Sequence, residues 1–254
     1  MIVRKSPREI ERMAEAGAVV ARTLELLREN VRPGITTQEL DEVADEFIRS
    51  QGAVPTSKGY KGYPAAICIS PNDMIVHGIP GRYRLREGDV VSCDVGVTLD
   101  GLIADSAATF PVGEIDPDTQ RLLDVCQAAL AAGIEQARVG NRVGDISYAV
   151  QEVVEDGGFS VVRALVGHGV GRSYHEEPQV PNFGMPGRGV QLVEGLTLAI
   201  EPMITAGSSH IVVADDGWSI STDDGSLSAH FEHTVAVTAD GPRILTAVRA
   251  GLLQ

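Results

Sequence analysis

The chain has 254 residues and a formal net charge of −14. Hydrophobic residues make up 43% and charged residues 22%, a globular composition that excludes disordered and fibrous classes. An acidic chain without a lysine and arginine cluster repels a phosphate backbone, so we expect no binding to DNA.

Cysteine usage and the absence of apolar segments indicate the compartment. The three cysteines, Cys68, Cys93 and Cys126, form no CxxC pair and cannot all be disulfide-bonded, which indicates a reducing environment. The charged N-terminal segment lacks the apolar core of a signal peptide, and no apolar run approaches the roughly 20 residues of a membrane span. We therefore expect a cytoplasmic protein without membrane contact.

Two pairs of helices are predicted. A capping box at Ser6 begins a helix that continues to about residue 29, and a second box at Thr36 begins a helix that Gly52 ends. Farther along the chain, helical spacing predicts helices from Asp116 to about Arg138 and over 145–156.

These helix pairs belong to an internal repeat. A shift of 106 residues aligns Gly34 with Gly140 and Gly52 with Gly158, and a shift of 107 aligns 85–88 with 192–195. Chance matches of glycines and caps remain an alternative, which paired strand acids and two His-x-x-Pro segments argue against. The repeat predicts one domain, 1–254, with halves of about 1–113 and 114–254. The fold class is α/β (α+β), a pseudo-twofold sandwich whose central, mostly antiparallel sheet is covered by helices.

Apolar, strand-like segments carry four acids, Asp94, Asp105, Glu201 and Glu232. The segments 89–96 and 101–105 read as a hairpin with a turn near Asp100, whereas 198–201 and 229–237 read as two further strands. Burying four carboxylates together is prohibitive unless cations neutralise them. The pattern therefore predicts a metal centre.

His168, in the segment Gly-His-Gly-Val-Gly, adds a nitrogen donor. Four carboxylates and one imidazole suit two divalent ions, whose four positive charges balance four negative ones. Taken alone, a strand aspartate is more often an edge or turn residue, and a histidine between glycines is more often a turn residue. The whole set is harder to explain in that way.

The ordered set of donors resembles the metal ligands of the methionine aminopeptidases of the type I, bacterial type. The surrounding motifs match as well, and they are His77-Gly-Ile-Pro, Gly167-His-Gly-Val-Gly-Arg-Ser-Tyr-His-Glu-Glu-Pro, Ala199-Ile-Glu-Pro-Met and Ser228-Ala-His-Phe-Glu-His. The resemblance covers almost the whole chain. It implies the pita-bread fold, which creatinase and prolidase share, and it agrees with the repeat.

The resemblance also implies the roles of the ligands. Asp105 and Glu232 would bridge two divalent metals, Asp94 would complete one site, and His168 and Glu201 would complete the other. The identity of the ions, among Co, Mn, Fe, Zn and Ni, stays open.

Three residues would take part in the chemistry, again by resemblance. His175 would hydrogen-bond the developing oxyanion, and Glu201 would move the proton of the attacking water. His77 would contact the scissile amide or the residue after it. A side-chain pocket for methionine would be lined by Tyr60, Tyr63, Cys68, Tyr174 and Trp218. The alternative is that Tyr63 and Tyr174 belong to the core, and the pocket role is favoured over it.

Three positions match a monovalent-cation site of relatives, namely Asn72, Met74 and Ser228, although such loop residues usually only form turns. Ser57 and Lys61, at the pocket rim, differ from some relatives, which bears on fine specificity and not on the reaction. The loop between His77 and Asp94 is one residue shorter than in the commonest bacterial form.

The implied activity is removal of the N-terminal methionine from nascent proteins, with a small second residue preferred, by a monomer. A ribosome contact would suit such an enzyme, but no residue indicates one. Two alternatives stay open. One is an Xaa-Pro peptidase, and the other is a metal-free relative that uses the fold as a binding module.

Overall fold

The structure is a computed structural model, and it describes residues 2–247. These residues form four α-helices: α1 (Pro7–Asn30), α2 (Thr37–Ser50), α3 (Pro117–Glu135) and α4 (Val143–Asp156), with a 3₁₀ turn at Tyr60–Gly62. The strands are β1 (Val54–Pro55), β2 (Cys68–Pro71), β3 (Met74–Val76), β4 (Val90–Leu99), β5 (Leu102–Pro111), β6 (Ser160–Val161), β7 (Val166–Gly169), β8 (Glu176–Pro181), β9 (Thr197–Ile200), β10 (Met203–Thr205), β11 (Ile211–Val213), β12 (Ile220–Thr222), β13 (Ser228–His230), β14 (His233–Thr238) and β15 (Gly241–Ile244).

Local capping determines where the first helix pair begins. Ser6 and Glu9 form a complete capping box at α1, and Thr36 and Glu39 form another at α2. Each box satisfies backbone N–H groups that have no partner within the helix. Both predicted helices are confirmed.

The second helix pair differs from prediction at its ends. Helix α3 stops at Glu135 and not near Arg138, because the chain turns away and the N–H of Gly140 donates to the carbonyl of Leu192. Helix α4 begins at Val143, two residues before the predicted start. Asp145 is the third residue of the helix, and its carboxylate accepts from the N–H of Arg142 at 2.7 Å.

The predicted hairpin is the long antiparallel pair of β4 and β5. Its two turn residues, Asp100 and Gly101, have φ values of 50° and 77°. Positive φ at both central positions is the geometry of the tight turn that matches the twist of a hairpin, and Asp-Gly adopts it readily.

The strands pair antiparallel throughout the described residues, in four groups. In the four-stranded group, β1 and β2 both pair with one edge of β4, and β5 pairs with its other edge. A five-stranded group has the order β15-β14-β9-β7-β8. Two three-stranded groups, β13-β10-β6 and β11-β12-β3, complete the architecture. The predicted, mostly antiparallel α/β sandwich is confirmed.

The single strand predicted over 229–237 is interrupted. Its first part, β13, pairs with β10, whereas β14 pairs with β9 and β15. At the break, the N–H of Glu232 donates to the carbonyl of Ala107 on β5 at 2.9 Å. The chain therefore passes from one group of strands to another at the position of a predicted metal ligand. Glu201 likewise lies just beyond the end of β9.

Two apolar cores hold the helices on the strands. Helix α1 packs on β4 and β5, and α2 packs on α1, β1 and β2, with Val20, Leu40 and Val95 in one shared core. Helix α3 packs on β9, β10, β13 and β15, and α4 packs on β6 and β8, with Cys126 and Ile146 in the other core. Side chains alternate along a strand, so the residues next to Val95 face away from the helices. The repeat that divides the chain near residue 113 stays a prediction.

Within residues 2–247, no helix is both long enough and apolar enough to cross a membrane.

The capping box of α1 has a measurable pH dependence. Hydrogen bonds from the Ser6 backbone and hydroxyl, together with the Arg172 guanidinium, lower the pKa of Glu9 to about 2. A carboxylate with a depressed pKa contributes stability above its unfolded-state pKa, and this contribution is lost as the pH falls through the folded value. We expect Glu9→Gln to lower the free energy of unfolding at pH 7, because the hydrogen bonds to the ionised carboxylate are weakened. The loss should be only about 1 kcal/mol, because water reaches the side chain and screens its charge.

Chemical denaturation between pH 7 and pH 2 measures this effect. The difference between Glu9→Gln and the unmodified protein should shrink below about pH 4. Glu15→Gln, an exposed change on the same helix, is the control and should have little effect at either pH. A difference that does not depend on pH would contradict the assigned role of Glu9.

Candidate active site

Two acids come from the β4–β5 hairpin. In its register Gly96 lies opposite Asp105 and Asp94 lies opposite Ala107, so both aspartates are on the face turned away from the helices. Gly96 is required here, because a Cβ at this position would lie 2.3 Å from the hydroxyl oxygen of Tyr174. The missing side chain lets Tyr174 approach Asp105, with Oη 3.5 Å from Oδ1.

The next two donors come from β7 and the end of β9. His168 on β7 lies opposite Ala199 on β9, and Glu201 follows two residues later. A Cβ on Gly167 would lie 2.4 Å from the carbonyl oxygen of Ala199 and 3.3 Å from Cγ of Glu201. The glycine before His168 therefore lets the two strands and the Glu201 side chain come together.

The fifth donor, Glu232, is held by the hairpin. Besides the bond from its N–H to Ala107, its carbonyl accepts a short hydrogen bond from the hydroxyl of Ser106. Thr234 makes similar hydrogen bonds to Asp105. Its hydroxyl donates to the carbonyl of Asp105 at 2.7 Å and accepts from the N–H of Asp105 at 2.9 Å. Hydrogen bonds to backbone groups thus hold the segments that carry Asp105 and Glu232 together.

The five predicted ligands converge on one cavity. Ligand atoms of Asp105, His168 and Glu232 all lie within 4.8 Å of one another, and all three residues are buried. Nε2 of His168 lies 3.5 Å from Oε1 of Glu201 and 3.9 Å from Oδ2 of Asp105. Such separations exceed a hydrogen bond and suit donors arranged around a common ion.

The ring of His168 is prepared to bind a cation. Its Nδ1 lies 2.8 Å from the carbonyl oxygen of Gly169, and because a carbonyl can only accept, Nδ1 carries the proton. The lone pair of Nε2 then faces the carboxylates. Burial lowers the pKa of His168 to about 4, so the ring is neutral at pH 7. This is the protonation state of a metal-ligating imidazole.

The carboxylates resist ionisation without a cation. Burial raises the pKa of Asp94 to about 6. Burial, followed by repulsion from neighbouring carboxylates, raises the pKa of Asp105, Glu201 and Glu232 well above the ordinary value. Like charges at this spacing cannot all ionise unless positive charge is brought among them.

The donor set is suited to divalent metal. Oδ1 of Asp94 and Oε1 of Glu232 are buried and have no hydrogen-bond partner. In the part of the chain that the structure describes, none of the four carboxylates forms an ion pair with a lysine or arginine. Buried oxygens are rarely left in this way, and a cation would satisfy them.

His230 is a cavity residue that the sequence interpretation missed. The side chain is buried, neither ring nitrogen has a hydrogen-bond partner, and Nε2 lies 3.7 Å from Oε2 of Glu201 and 4.0 Å from Oε2 of Glu232. Its position two residues before Glu232 was the available signal. Leu165, Val166 and Met203, which also line the cavity, carried no recognisable signal.

The two outer histidines line the same cavity. The ring of His175 lies 4.1 Å from the ring of His168 and stacks against Tyr60 at 5.4 Å. Burial, with nearby His168, Lys61 and His77, lowers the pKa of His175 to about 3. Burial also lowers the pKa of His77, which follows β3 with φ of 59°. Both rings are therefore neutral donors at pH 7.

An apolar and aromatic wall lies beside the donors. All five predicted pocket residues are there, and they are Tyr60, Tyr63, Cys68, Tyr174 and Trp218. Tyr63 and Trp218 meet edge to face with their rings 5.1 Å apart, and Cys68 lies opposite Asp94 across β2 and β4. The rim positions Ser57 and Lys61 line the cavity as well. The wall offers an aromatic surface for an unbranched or sulfur-containing side chain.

The three residues of the predicted monovalent-cation site also lie together. The hydroxyl of Ser228 is 3.1 Å from the carbonyl oxygens of both Asn72 and Met74. Hydrogen bonds already join these groups, so the cation stays a prediction.

With this geometry, a comparison with known proteins identifies the class. A model of metallopeptidase family M24 matches residues 11–239. The chain therefore belongs to metallopeptidase family M24. Membership in a metallopeptidase family, together with the buried donor cluster, supports the use of divalent metal.

Named relatives narrow the class. A methionine aminopeptidase of Clostridium perfringens is 52% identical over 249 residues, which cover 98% of this chain and 100% of the relative. Methionine aminopeptidase 1 of Bacillus subtilis is 49% identical over 248 residues, with 98% and 100% covered. The crystal structure of the methionine aminopeptidase of Rickettsia prowazekii superposes with a TM-score of 0.96 at 41% identity, covering 97% of this chain and 100% of that one. Within family M24 the chain thus groups with the methionine aminopeptidases, and the predicted pita-bread fold is confirmed.

The donor cluster predicts how stability responds to metal. In the metal-free protein, Asp105→Asn removes a carboxylate that its neighbours repel, so we expect the variant to unfold at the same temperature as the unmodified protein or higher. Divalent metal at 100 times its Kd should stabilise the unmodified protein by about 2.7 kcal/mol. This gain should be much smaller in the variant.

Thermal unfolding with EDTA gives the stability of the metal-free proteins, and its comparison with unfolding in excess Mn²⁺ gives the metal-dependent gain. Asp240→Asn, on an exposed turn, is the control and should keep the full metal-dependent gain. An undiminished gain in Asp105→Asn would show that Asp105 does not bind the ion.

Proposed function

We propose that this chain is a metal-dependent aminopeptidase that removes the N-terminal methionine from proteins with a small second residue. The observation that supports it most is the convergence of five donors and two outer histidines on one cavity. The named relatives agree with this activity. The substrate is the N-terminal peptide of a nascent protein.

The centre would hold two divalent ions, because four carboxylate charges need four positive ones. On this proposal Asp105 and Glu232 would hold both ions, Asp94 would complete one site, and His168 and Glu201 would complete the other. When bound, divalent ions make hydroxide available from water near neutral pH and polarise a carbonyl group. The ions belong to the group Co, Mn, Fe, Zn and Ni.

The chain's own residues carry the remaining steps. The Glu201 carboxylate accepts the proton of the attacking water and passes it to the leaving amine. His175, neutral because burial lowers its pKa, donates a hydrogen bond to the oxyanion as it develops. His77 contacts the scissile amide or the residue after it. The methionine side chain is received by the wall of Tyr60, Tyr63, Cys68, Tyr174 and Trp218.

The surroundings of the reaction are also proposed. The three cysteines are free and buried, which suits a reducing compartment, and we place the protein in the cytoplasm as a monomer. A ribosome contact suits co-translational processing, although no surface of the described residues argues for it.

The activity is tested with metal-stripped protein. After reloading under anaerobic conditions with each candidate ion in turn, release of the N-terminal residue is measured from Met-Gly peptides, from methionyl peptides with a bulky second residue, and from Xaa-Pro dipeptides. We expect metal-dependent cleavage of Met-Gly peptides alone. Preference for Xaa-Pro would indicate the alternative peptidase, no cleavage with any ion would indicate a binding module, and cleavage that survives metal removal would contradict the mechanism.

His175 has a predicted kinetic effect. We expect His175→Ala to lower kcat by roughly 10²–10³, since removal of one oxyanion donor has this effect in other hydrolases, while KM changes little. His210→Ala, at a side chain that is 82% exposed and outside the cavity, is the control. A loss expressed mainly in KM would assign His175 to substrate binding instead.

A further inference from the structure

We propose that Lys5 and Glu176 form a buried ion pair that positions His175, so that the N-terminal segment before α1 is part of the active-site scaffold. The inference rests on the proposed function of His175. It concerns positioning residues, since neither side chain lines the cavity.

The ion pair is almost completely enclosed. The side chains of Lys5 and Glu176 are 0% and 6% exposed, and Nζ lies 2.5 Å from Oε2. Besides Glu176, the ammonium reaches the carbonyl of Val3 at 3.4 Å. A pair buried in this way seldom stabilises a fold more than apolar residues of the same volume would. The Lys5–Glu176 pair therefore contributes mainly by determining where the residues around it lie.

The second oxygen of Glu176 defines a turn. Oε1 accepts hydrogen bonds from the N–H of Arg172 at 2.7 Å and from the N–H of Ser173 at 3.0 Å. Residues 171–176, which we call the histidine turn, are therefore closed by one carboxylate. Tyr174 and His175 lie inside this turn, and both line the cavity.

Lys5 links the histidine turn to another part of the fold. Its N–H donates to the carbonyl of Gly195 at 2.6 Å, and a Cβ on Gly195 would lie 2.6 Å from the carbonyl oxygen of Lys5. A Cβ on Gly171 would lie 2.3 Å from Cε of Lys5. The lysine thus lies close against two glycines, and a side chain at either position would clash with it.

A surface ion pair supports the same connection. The guanidinium of Arg172, in the histidine turn, contacts Oε1 of Glu9 in the first turn of α1 at 2.6 and 2.9 Å. The segment from Lys5 to Glu9 therefore binds the histidine turn twice, through the buried Lys5 ammonium and through the Glu9 carboxylate at the surface. Because the ring of His175 must meet a developing charge within a fraction of an ångström, loosening this turn should slow the reaction rather than weaken substrate binding.

The test uses a charge-neutral pair, Lys5→Met with Glu176→Gln, which avoids leaving either charge buried alone. We expect kcat to fall about 10- to 100-fold with KM changed less than about threefold. In the His175→Ala background the same pair should lower kcat less than about threefold, because the positioned ring is gone. The matched control is Glu11→Gln with Arg243→Met, which neutralises another ion pair of α1 and should leave kcat unchanged.

Two results would overturn the inference. An equal loss of kcat in both backgrounds would mean that the pair does not act through His175, and no loss in either would mean that it positions nothing. The unmodified protein tests the proposed function separately, since that proposal fails if no methionine is released. In that event NMR of ¹⁵N-labelled histidine still decides the inference. The His175 ring signals should shift in the Lys5 and Glu176 variant but not in the control, and unchanged signals would contradict it.

Discussion

Carboxylates that are buried together repel one another, and the candidate active site depends on how this repulsion is offset. Asp94, Asp105, Glu201 and Glu232 surround one cavity without a lysine or arginine partner in residues 2–247, and burial with mutual repulsion raises the pKa of the group. Hydrogen bonds from the protein leave two of the oxygens unsatisfied. Cations among the carboxylates would stabilise their ionised forms, which agrees with membership in a metallopeptidase family.

On strand β4, one face packs into the apolar core and the other face carries a donor of the cluster. On β4, the side chains next to Asp94 pack into the core under α1 and α2, whereas Asp94 faces the cavity. Hydrogen bonds from β5 then link it to the chain around Glu232, which places Asp105 and Glu232 beside each other. Neutral imidazoles complete the site, because burial disfavours their charged forms. On our proposal, the buried Lys5–Glu176 pair positions His175.

Much of the fold and of the site could be predicted because the relevant signals are local. Capping boxes define the starts of α1 and α2, an Asp-Gly turn defines the β4–β5 hairpin, and acids within apolar strands point to a metal centre. The predictions failed where a long-range contact decides. Helix α3 ends early because its exit pairs with Leu192, and the strand predicted over 229–237 breaks because Glu232 bonds to β5.

The sequence by itself determined the donor types, their order and the helices that cover the strands, since these depend on residue chemistry and on spacing along the chain. Only the tertiary structure decided that His230 faces Glu201, that His168 offers Nε2 to the carboxylates, and that Lys5 reaches Glu176 across 171 residues. The reason is physical. Desolvation, repulsion and hydrogen-bond geometry depend on distances between groups that are far apart in sequence, and those distances exist only after the chain has folded.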